Sequence, residues 1–221
     1  MELLIDNLPE WVPQFLWASL QTLQLTLAAF VLAVIVGIVV VLLRRTHIAP
    51  IRWAMVAFVE VGRGTPALVI LFLIYFALPD LIPALSLDSF TAAAVGLGLQ
   101  GGAVLSEIFR AGIDAIDRGQ REAGISLGLT PAQAMRDVIA PQAIRVVLPP
   151  VGNYAIGLLK DTSIASIIAA PDLMLRAKDL ASSSFLPMQV YVLVAVFYFA
   201  MSYPMSLLVG QLELKLARHR H

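Results

Sequence analysis

Arg121-Glu122-Ala123-Gly124-Ile125-Ser126-Leu127-Gly128-Leu129-Thr130-Pro131-Ala132-Gln133 opens a polar island that continues to Pro149 in an otherwise apolar chain. Local rules give the island a shape. Gln120 to Leu127 can make two helical turns, and Gly128 suits the left-handed position that ends a short helix. Thr130 is a good N-cap, Pro131 fits the first helical position, and Gln133 completes a T-x-x-Q capping box. A second helix is therefore expected from Pro131, with Ala132, Met135, Val138 and Ile139 on one side and a stop before Pro141. Helix, turn, helix is common and names no function by itself.

The rest of the chain says where the island sits. Of its 221 residues 59% are hydrophobic and 14% charged, and the mean hydropathy is +0.86. That is too apolar for a soluble domain and points to an all-α protein that crosses a membrane several times. Net charge is zero, which gives no reason to expect nucleic acid as a partner. The absence of cysteine excludes disulfides and thiolate metal sites. His47, His219 and His221 lack the spacing of a zinc site and read as solvated surface. The acidic start, Glu2, Asp6 and Glu10, lacks the basic leader of a signal peptide, so no cleavage is expected.

Five spans are expected, at about 16–43, 53–78, 89–110, 146–170 and 188–210. Residues 1–14 form a leading segment, the island covers about 119–141, and 213–221 is a tail. Trp11 and Trp17 are read as interfacial indoles, and Gln21, Thr22, Gln24 and Thr26 as a polar stripe turned away from lipid. The second span is broken at Arg63-Gly64-Thr65-Pro66, where Thr65 and Pro66 read as N-cap and first residue of a new helix. Arg63 would sit at membrane depth, lining a path or paired with Glu60 at i,i+3. In the third span Ala94, Gly98 and Gly102 recur every four residues, a helix-packing face. Glu107, Arg110, Asp114 and Arg118 then form a ladder of possible ion pairs. The fourth span carries the chain's most expensive residues, Lys160-Asp161-Thr162-Ser163. An amphipathic segment with Leu173, Ala177 and Leu180 on one side precedes the fifth.

Gly124-Ile125-Ser126-Leu127-Gly128 matches the G-x-S-x-G nucleophile elbow, but a helix precedes it and the only downstream histidines lie in the tail, so no hydrolase is inferred. No G-x-x-x-x-G-K-[ST] phosphate loop is present, so no ATP hydrolysis is expected in this chain.

The order Glu122, Ala123, Gly128, Pro141 resembles the EAA loop of the membrane subunits of bacterial ABC importers; Gly124, Val138 and Ala140 differ from that pattern. The likeness extends over nearly the whole chain to the permeases of polar amino acid importers, the histidine, glutamine and glutamate uptake group. It is carried by Arg63-Gly64-Thr65-Pro66, Glu107-Ile108-Phe109-Arg110, Gly119-Gln120-Arg121-Glu122-Ala123, Pro141-Gln142-Ala143 and Leu159-Lys160-Asp161-Thr162-Ser163. The resemblance implies a type I importer permease fold in the bacterial inner membrane and a dimer with a second permease. It also implies an extracytoplasmic solute-binding protein and a cytoplasmic ATPase dimer that holds the ATP and magnesium and grips Gln120 to Gly128, including Ser126 and Leu127. No cofactor or metal is expected on this chain itself.

Lys160, Asp161, Thr162 and Ser163, with Arg63 and Thr65, are the candidate path residues. Adjacent helical residues point about 100° apart, so Lys160 and Asp161 need partners other than each other. An amino acid's carboxylate and ammonium would serve. Asp161 could instead brace Arg63, with Thr162 and Ser163 bonding the preceding turn. The competing classes are an ion-coupled secondary transporter, for which about five spans without an evident inverted repeat is small, and a channel or scaffold subunit.

Basic residues set the expected orientation. Arg44, Arg45, Arg52, Arg110, Arg118, Arg121, Arg136, Arg145, Lys215, Arg218 and Arg220 fall on one side, and Arg176 and Lys178 on the other. That places the N-terminus outside and the island and C-terminus in the cytoplasm. Because the chain has no cysteine, Ala84→Cys and Gln133→Cys should label with an impermeant thiol reagent from opposite sides of the membrane. Labelling from the same side would overturn this topology.

Overall fold

The computed structural model describes residues 2–217, with side chains from 6 to 216. Arg218, His219, Arg220 and His221 and the side chain of Glu2 lie outside the described residues. Among the described residues there is no strand, as expected of an all-α chain. In order come α1 (Glu2–Arg44), α2 (Ala49–Gly64), α3 (Ala67–Phe72), a π-helical turn (Leu73–Ala77), α4 (Leu78–Leu81), a 3₁₀ turn (Pro83–Leu85) and α5 (Ser89–Asp114). They are followed by α6 (Arg118–Ser126), α7 (Pro131–Gln133), a second π-helical stretch (Ala134–Ile139), α8 (Ala140–Asp161), a 3₁₀ stretch (Thr162–Ile168), α9 (Leu173–Ser184) and α10 (Pro187–Ala217).

Among the described residues three helices are long and apolar enough to cross a membrane, within α1, α5 and α10; a fourth crossing results if the bent run from α2 to α4 is one span. The region expected as the fourth of five spans is different in kind. Its α-helix stops at Asp161 and continues as a 3₁₀ stretch to Ile168, after which Ala169 is left-handed at φ 56°. The ionisable pair Lys160 and Asp161 sits where the two helical forms meet.

α1 and α5 are the central pair, and small residues let them touch. A methyl built on Gly98 would lie 2.7 Å from the Leu32 side chain, and one on Gly102 would lie 2.3 Å from Val36. The spacing of small residues is thus a packing face against α1. Around this pair, Leu25 and Ala29 of α1, Leu71 of α3, Leu97 of α5, Leu158 of α8 and Ala165 and Ile168 of the 3₁₀ stretch form one apolar core. A second core joins Trp11, Phe15 and Ala18 of α1 to Leu173, Ala177 and Leu180 of α9 and to Val190 and Val194 of α10.

The second core corrects one expectation and supports another. Trp11 is only 2% exposed and is no interfacial indole, because it packs with Phe15 and Ala18 against α9 and α10; Trp17 points outward. The apolar side of α9 is buried as its spacing required. In the polar stripe, Thr22 and Thr26 are buried, and the Thr22 hydroxyl accepts the Leu173 N–H at 2.9 Å, while Gln24 is exposed.

Two proline readings change. Thr65 does not cap the next helix; Pro66 is the N-cap, α3 starts at Ala67, and α2 and α3 meet at a bend of 112°. Pro141 does not end the second island helix. The preceding turn widens to the π form, with the Ala140 N–H bonded to the Met135 carbonyl. Widening moves the carbonyl that a proline ring would otherwise strike. The Gln142 side chain also donates to the Val138 carbonyl at 2.9 Å. The wide turn changes the buried face too: Ala134 and Ile139 are buried, whereas Ala132 is exposed.

Asp172 caps α9. One carboxylate oxygen accepts the Leu175 N–H at 2.7 Å, while the other, Oδ2, is buried without a hydrogen bond near the Tyr198 hydroxyl. The residue is 1% exposed, and burial pushes its carboxyl up to about 6. A carboxyl raised above its unfolded value of about 3.9 favours the folded state when protonated. Its contribution is therefore fully present below about pH 4 and is lost as pH rises through about 6. The protection factors of the α9 amides, which remove the base-catalysed rise in intrinsic exchange, should fall across that window and then level off, and Asp172→Asn, which keeps a capping oxygen, should flatten the response. Protection factors that rise with pH would contradict the sign.

Candidate functional site

The polar island folds as a short hairpin of helices. α6 starts at the Asp117 cap, whose carboxylate accepts the Gly119 N–H at 2.7 Å. It ends with Gly128 at φ +87°; the Gly128 N–H reaches the Ile125 carbonyl at 2.9 Å and the Leu129 N–H reaches Gly124 at 3.1 Å. These two bonds are the Schellman arrangement that closes a helix on a left-handed residue. The capping box is present at the next helix: the Gln133 N–H donates to Thr130 Oγ1 at 3.3 Å, and the Thr130 N–H donates to Gln133 Oε1 at 2.9 Å.

Gly124 is the buried residue of α6, and a methyl there would meet Ala134 and Leu129 at 3.5 Å, an ordinary contact. The departure from Glu-Ala-Ala therefore leaves the hairpin's shape unchanged. Gln120, Arg121, Glu122, Ala123, Ser126 and Leu127 are exposed, and Leu127 is 84% exposed. Ile125 of the same helix is 46% exposed, so the charged hairpin carries two uncovered apolar side chains at its tip. Ser126 closes a helix rather than a strand-to-helix elbow.

From Pro131 the chain runs through the π stretch and α8 to Asp161 as one helical rod, roughly 45 Å long. Its base carries the hairpin, and its far end carries Lys160 and Asp161. Both are exposed in this chain, and among the described residues neither forms an ion pair with the other or with Arg63. Arg63 is likewise exposed and unpaired with Glu60. The alternative brace between Asp161 and Arg63 is thus not formed. Thr162 does take the bland role, fully buried with its hydroxyl donating to the Leu159 carbonyl at 2.7 Å. Ser163 is half-buried, and its carbonyl accepts the Ser166 hydroxyl. The Thr65 carbonyl accepts the Gln100 side-chain amide at 3.0 Å.

The ion-pair ladder is formed from Glu107 to Asp114 and then leaves its expected line. Arg110 binds Glu107 at 2.8 Å and Asp114 at 2.9 Å, but α5 ends there, and Arg118 starts α6 instead. Arg44 at the end of α1 takes the other Glu107 oxygen, and Arg45 approaches Asp114 at 4.0 Å. Local spacing could not show this link, since Arg44 and Glu107 are 63 residues apart. It fastens α1 to the end of α5 from which the hairpin springs.

Residues 47–218 match the family model described as binding-protein-dependent transport system inner membrane component. The chain is 38% identical over 218 residues to a probable glutamine ABC transporter permease protein, GlnM, of Bacillus subtilis, covering 99% of this chain and 98% of that protein. It is 35% identical over 214 residues to the L-cystine transport system permease protein TcyB of the same organism, covering 94% and 91%. Among solved structures, an amino acid ABC transporter with histidines superposes with a TM-score of 0.89 at 38% identity, over 95% of this chain and 97% of that one. The MetNI methionine ABC transporter, at 19% identity over 90% and 95% of the two chains with a TM-score of 0.70, shares the fold. With the hairpin, the rod and the central glycine-packed pair in place, the chain belongs to the family of binding-protein-dependent transport system inner membrane components.

Proposed function

We propose that the chain is the permease subunit of an ATP-driven importer for a polar amino acid or a close analogue. The observation that carries this reading is the continuous rod: one helix joins an exposed, doubly capped hairpin to an exposed adjacent pair of opposite charges, Lys160 and Asp161, that forms no ion pair among the described residues. In this reading a separate ATPase dimer, holding ATP and Mg²⁺, receives Leu127 and Ile125 of α6 in a groove, with Arg121 and Glu122 at its rim. A second permease, either a copy or a homologue, covers the face that bears Lys160 and Asp161. A solute-binding protein delivers substrate on the side of the N-terminus, and the hairpin lies in the cytoplasm. Glutamine, arginine and cystine, the substrates in the names of relatives, are the first probes.

The work of the site follows from its parts. A hairpin can transmit displacement only if both helices are fixed at the turn, and Gly128 with the Thr130 cap fixes them. The rod delivers that displacement to Lys160 and Asp161. At membrane depth these charges are tolerable where water or substrate meets them, and an amino acid offers a carboxylate to Lys160 and an ammonium to Asp161.

Two experiments test the two ends. A Cβ at Gly128 would meet nothing within 4 Å, so the cost of replacing the glycine comes chiefly from φ +87°. Gly128→Val should lose uptake and ATPase coupling while the spans remain inserted, and Gly128→Asn, which accepts left-handed geometry, should keep both. Normal uptake by the valine variant would end the coupling assignment. At the other end, assembled Lys160→Met and Asp161→Asn transporters should show altered apparent affinity or rate with the three probes, as well as altered substrate-stimulated ATP hydrolysis. If both variants behave as the parent does, neither residue lines the path.

A further inference from the structure

The bend between α2 and α3 leaves a polar group that the backbone cannot satisfy. Thr65 (φ −97°, ψ 132°) and Pro66 (φ −58°, ψ 140°) are both extended. The Thr65 N–H still reaches back to the Val61 carbonyl, but Pro66 has no N–H, and the Val69 and Ile70 N–H groups both go to the Pro66 carbonyl. Among the described residues no backbone donor meets the Thr65 carbonyl. Within a bilayer such a group has no water to turn to. Its donor is the half-buried Gln100 side chain of α5, with Nε2 at 3.0 Å.

Gln100 is held firmly enough to act as a reference point. At the next residue, Gly101, an added methyl would lie 2.8 Å from Ala33 of α1 and 2.2 Å from the Tyr154 hydroxyl of α8. At Gly102, Val36 of α1 closes the space. The backbone of α5 is therefore wedged between α1 and α8 immediately beside Gln100. Tyr154 precedes Asp161 by seven residues, two helical turns, so the two share one face of α8. The Gln100-Gly101 step connects the bend that follows Arg63 to the face of α8 that bears Asp161. Gln100 Oε1 receives no donor among the described residues, which leaves an acceptor beside the bend.

We propose that Gln100 is a positioning residue for substrate: by holding the Thr65 carbonyl it fixes the α2–α3 bend relative to Asp161, and it thereby sets the affinity of the path for an amino acid. This rests on the path reading above. An apolar residue of equal length at 100 would leave the Thr65 carbonyl without its donor and so release the bend.

The test uses the assembled permease–ATPase complex in detergent, with equilibrium binding of labelled glutamine, arginine and cystine in the absence of binding protein. Gln100→Met keeps the length of the side chain and loses the amide. It should weaken binding of whichever probe the parent binds by roughly tenfold, the worth of about one hydrogen bond. ATP hydrolysis stimulated by loaded binding protein at saturation should stay within about twofold of the parent on the same scale. Gln100→His, which restores an N–H donor, should recover part of the affinity. A role confined to folding would lower the yield of complex and leave the affinity of the assembled fraction unchanged, and that result overturns the proposal. If Gln100→Met does not assemble, Gln100→Leu carries the same test. Failure here is separable from failure of the path itself: shifted affinity in Lys160→Met or Asp161→Asn with parental affinity in Gln100→Met rejects Gln100 alone, whereas silence in the two charge variants rejects the path.

Discussion

A chain this apolar must satisfy its backbone from within, because the bilayer offers no donors and no acceptors. Regular helices answer that demand wherever they run unbroken, which is why long helices dominate the molecule. The informative places are the interruptions, and each has a named remedy. The Thr65 carbonyl takes the Gln100 amide, the Val138 carbonyl takes the Gln142 amide, and the Leu173 N–H takes the Thr22 hydroxyl. The first lies at the bend, the second in the rod near the hairpin, and the third where α9 begins against α1. Departures from the regular helix are costly here, and the fold concentrates them where the proposed function needs geometry that a straight helix cannot supply.

The same economy explains the central pair. Lipid gives helices no hydrophobic reason to associate, so close contact has to come from shape. α5 presents glycines to α1, and side chains of α1 fill the space that a methyl would need. At the end of that contact Glu107 gathers guanidinium groups from both helices. Shape holds the pair along its length, and charge holds it at the end nearest the hairpin. Because α6 follows α5 after a short turn, any push on the hairpin meets a foundation of two helices rather than one.

What the sequence revealed and what it hid divide by distance along the chain. The Gly128 closure and the Thr130 capping box were legible because all their partners lie within a few residues. The packing role of Gly98 and Gly102 was legible because helical spacing alone puts them on one face. Pro141 was misread because its local meaning, a helix stop, is overridden by a widened turn that no periodicity announces. Thr65 was misread as a cap because the atom that matters is its carbonyl, whose donor is 35 residues away. Trp11 was misread because burial under α9 and α10 is a tertiary fact. Arg44 and Glu107 carried no local sign of each other, although each carried a charge at the edge of a span. Lys160 and Asp161 form no ion pair with each other, as their 100° separation suggested, but the rule is not general, since the adjacent Arg136 and Asp137 on the widened turn do pair at 2.7 Å.

The widened turn from Ala134 to Ile139 has a consequence for direction rather than for length. A π turn contains one more residue than the α turn it replaces, so everything beyond it is rotated by about 100° relative to an unbroken α-helix. Lys160 and Asp161 lie downstream of that turn on the same rod. Their compass bearing around the rod is therefore set by a single surplus residue more than twenty positions away, close to the hairpin. Insertions and deletions near the hairpin, harmless to its caps and nearly neutral to the length of the rod, would swing the charged pair away from whatever it faces.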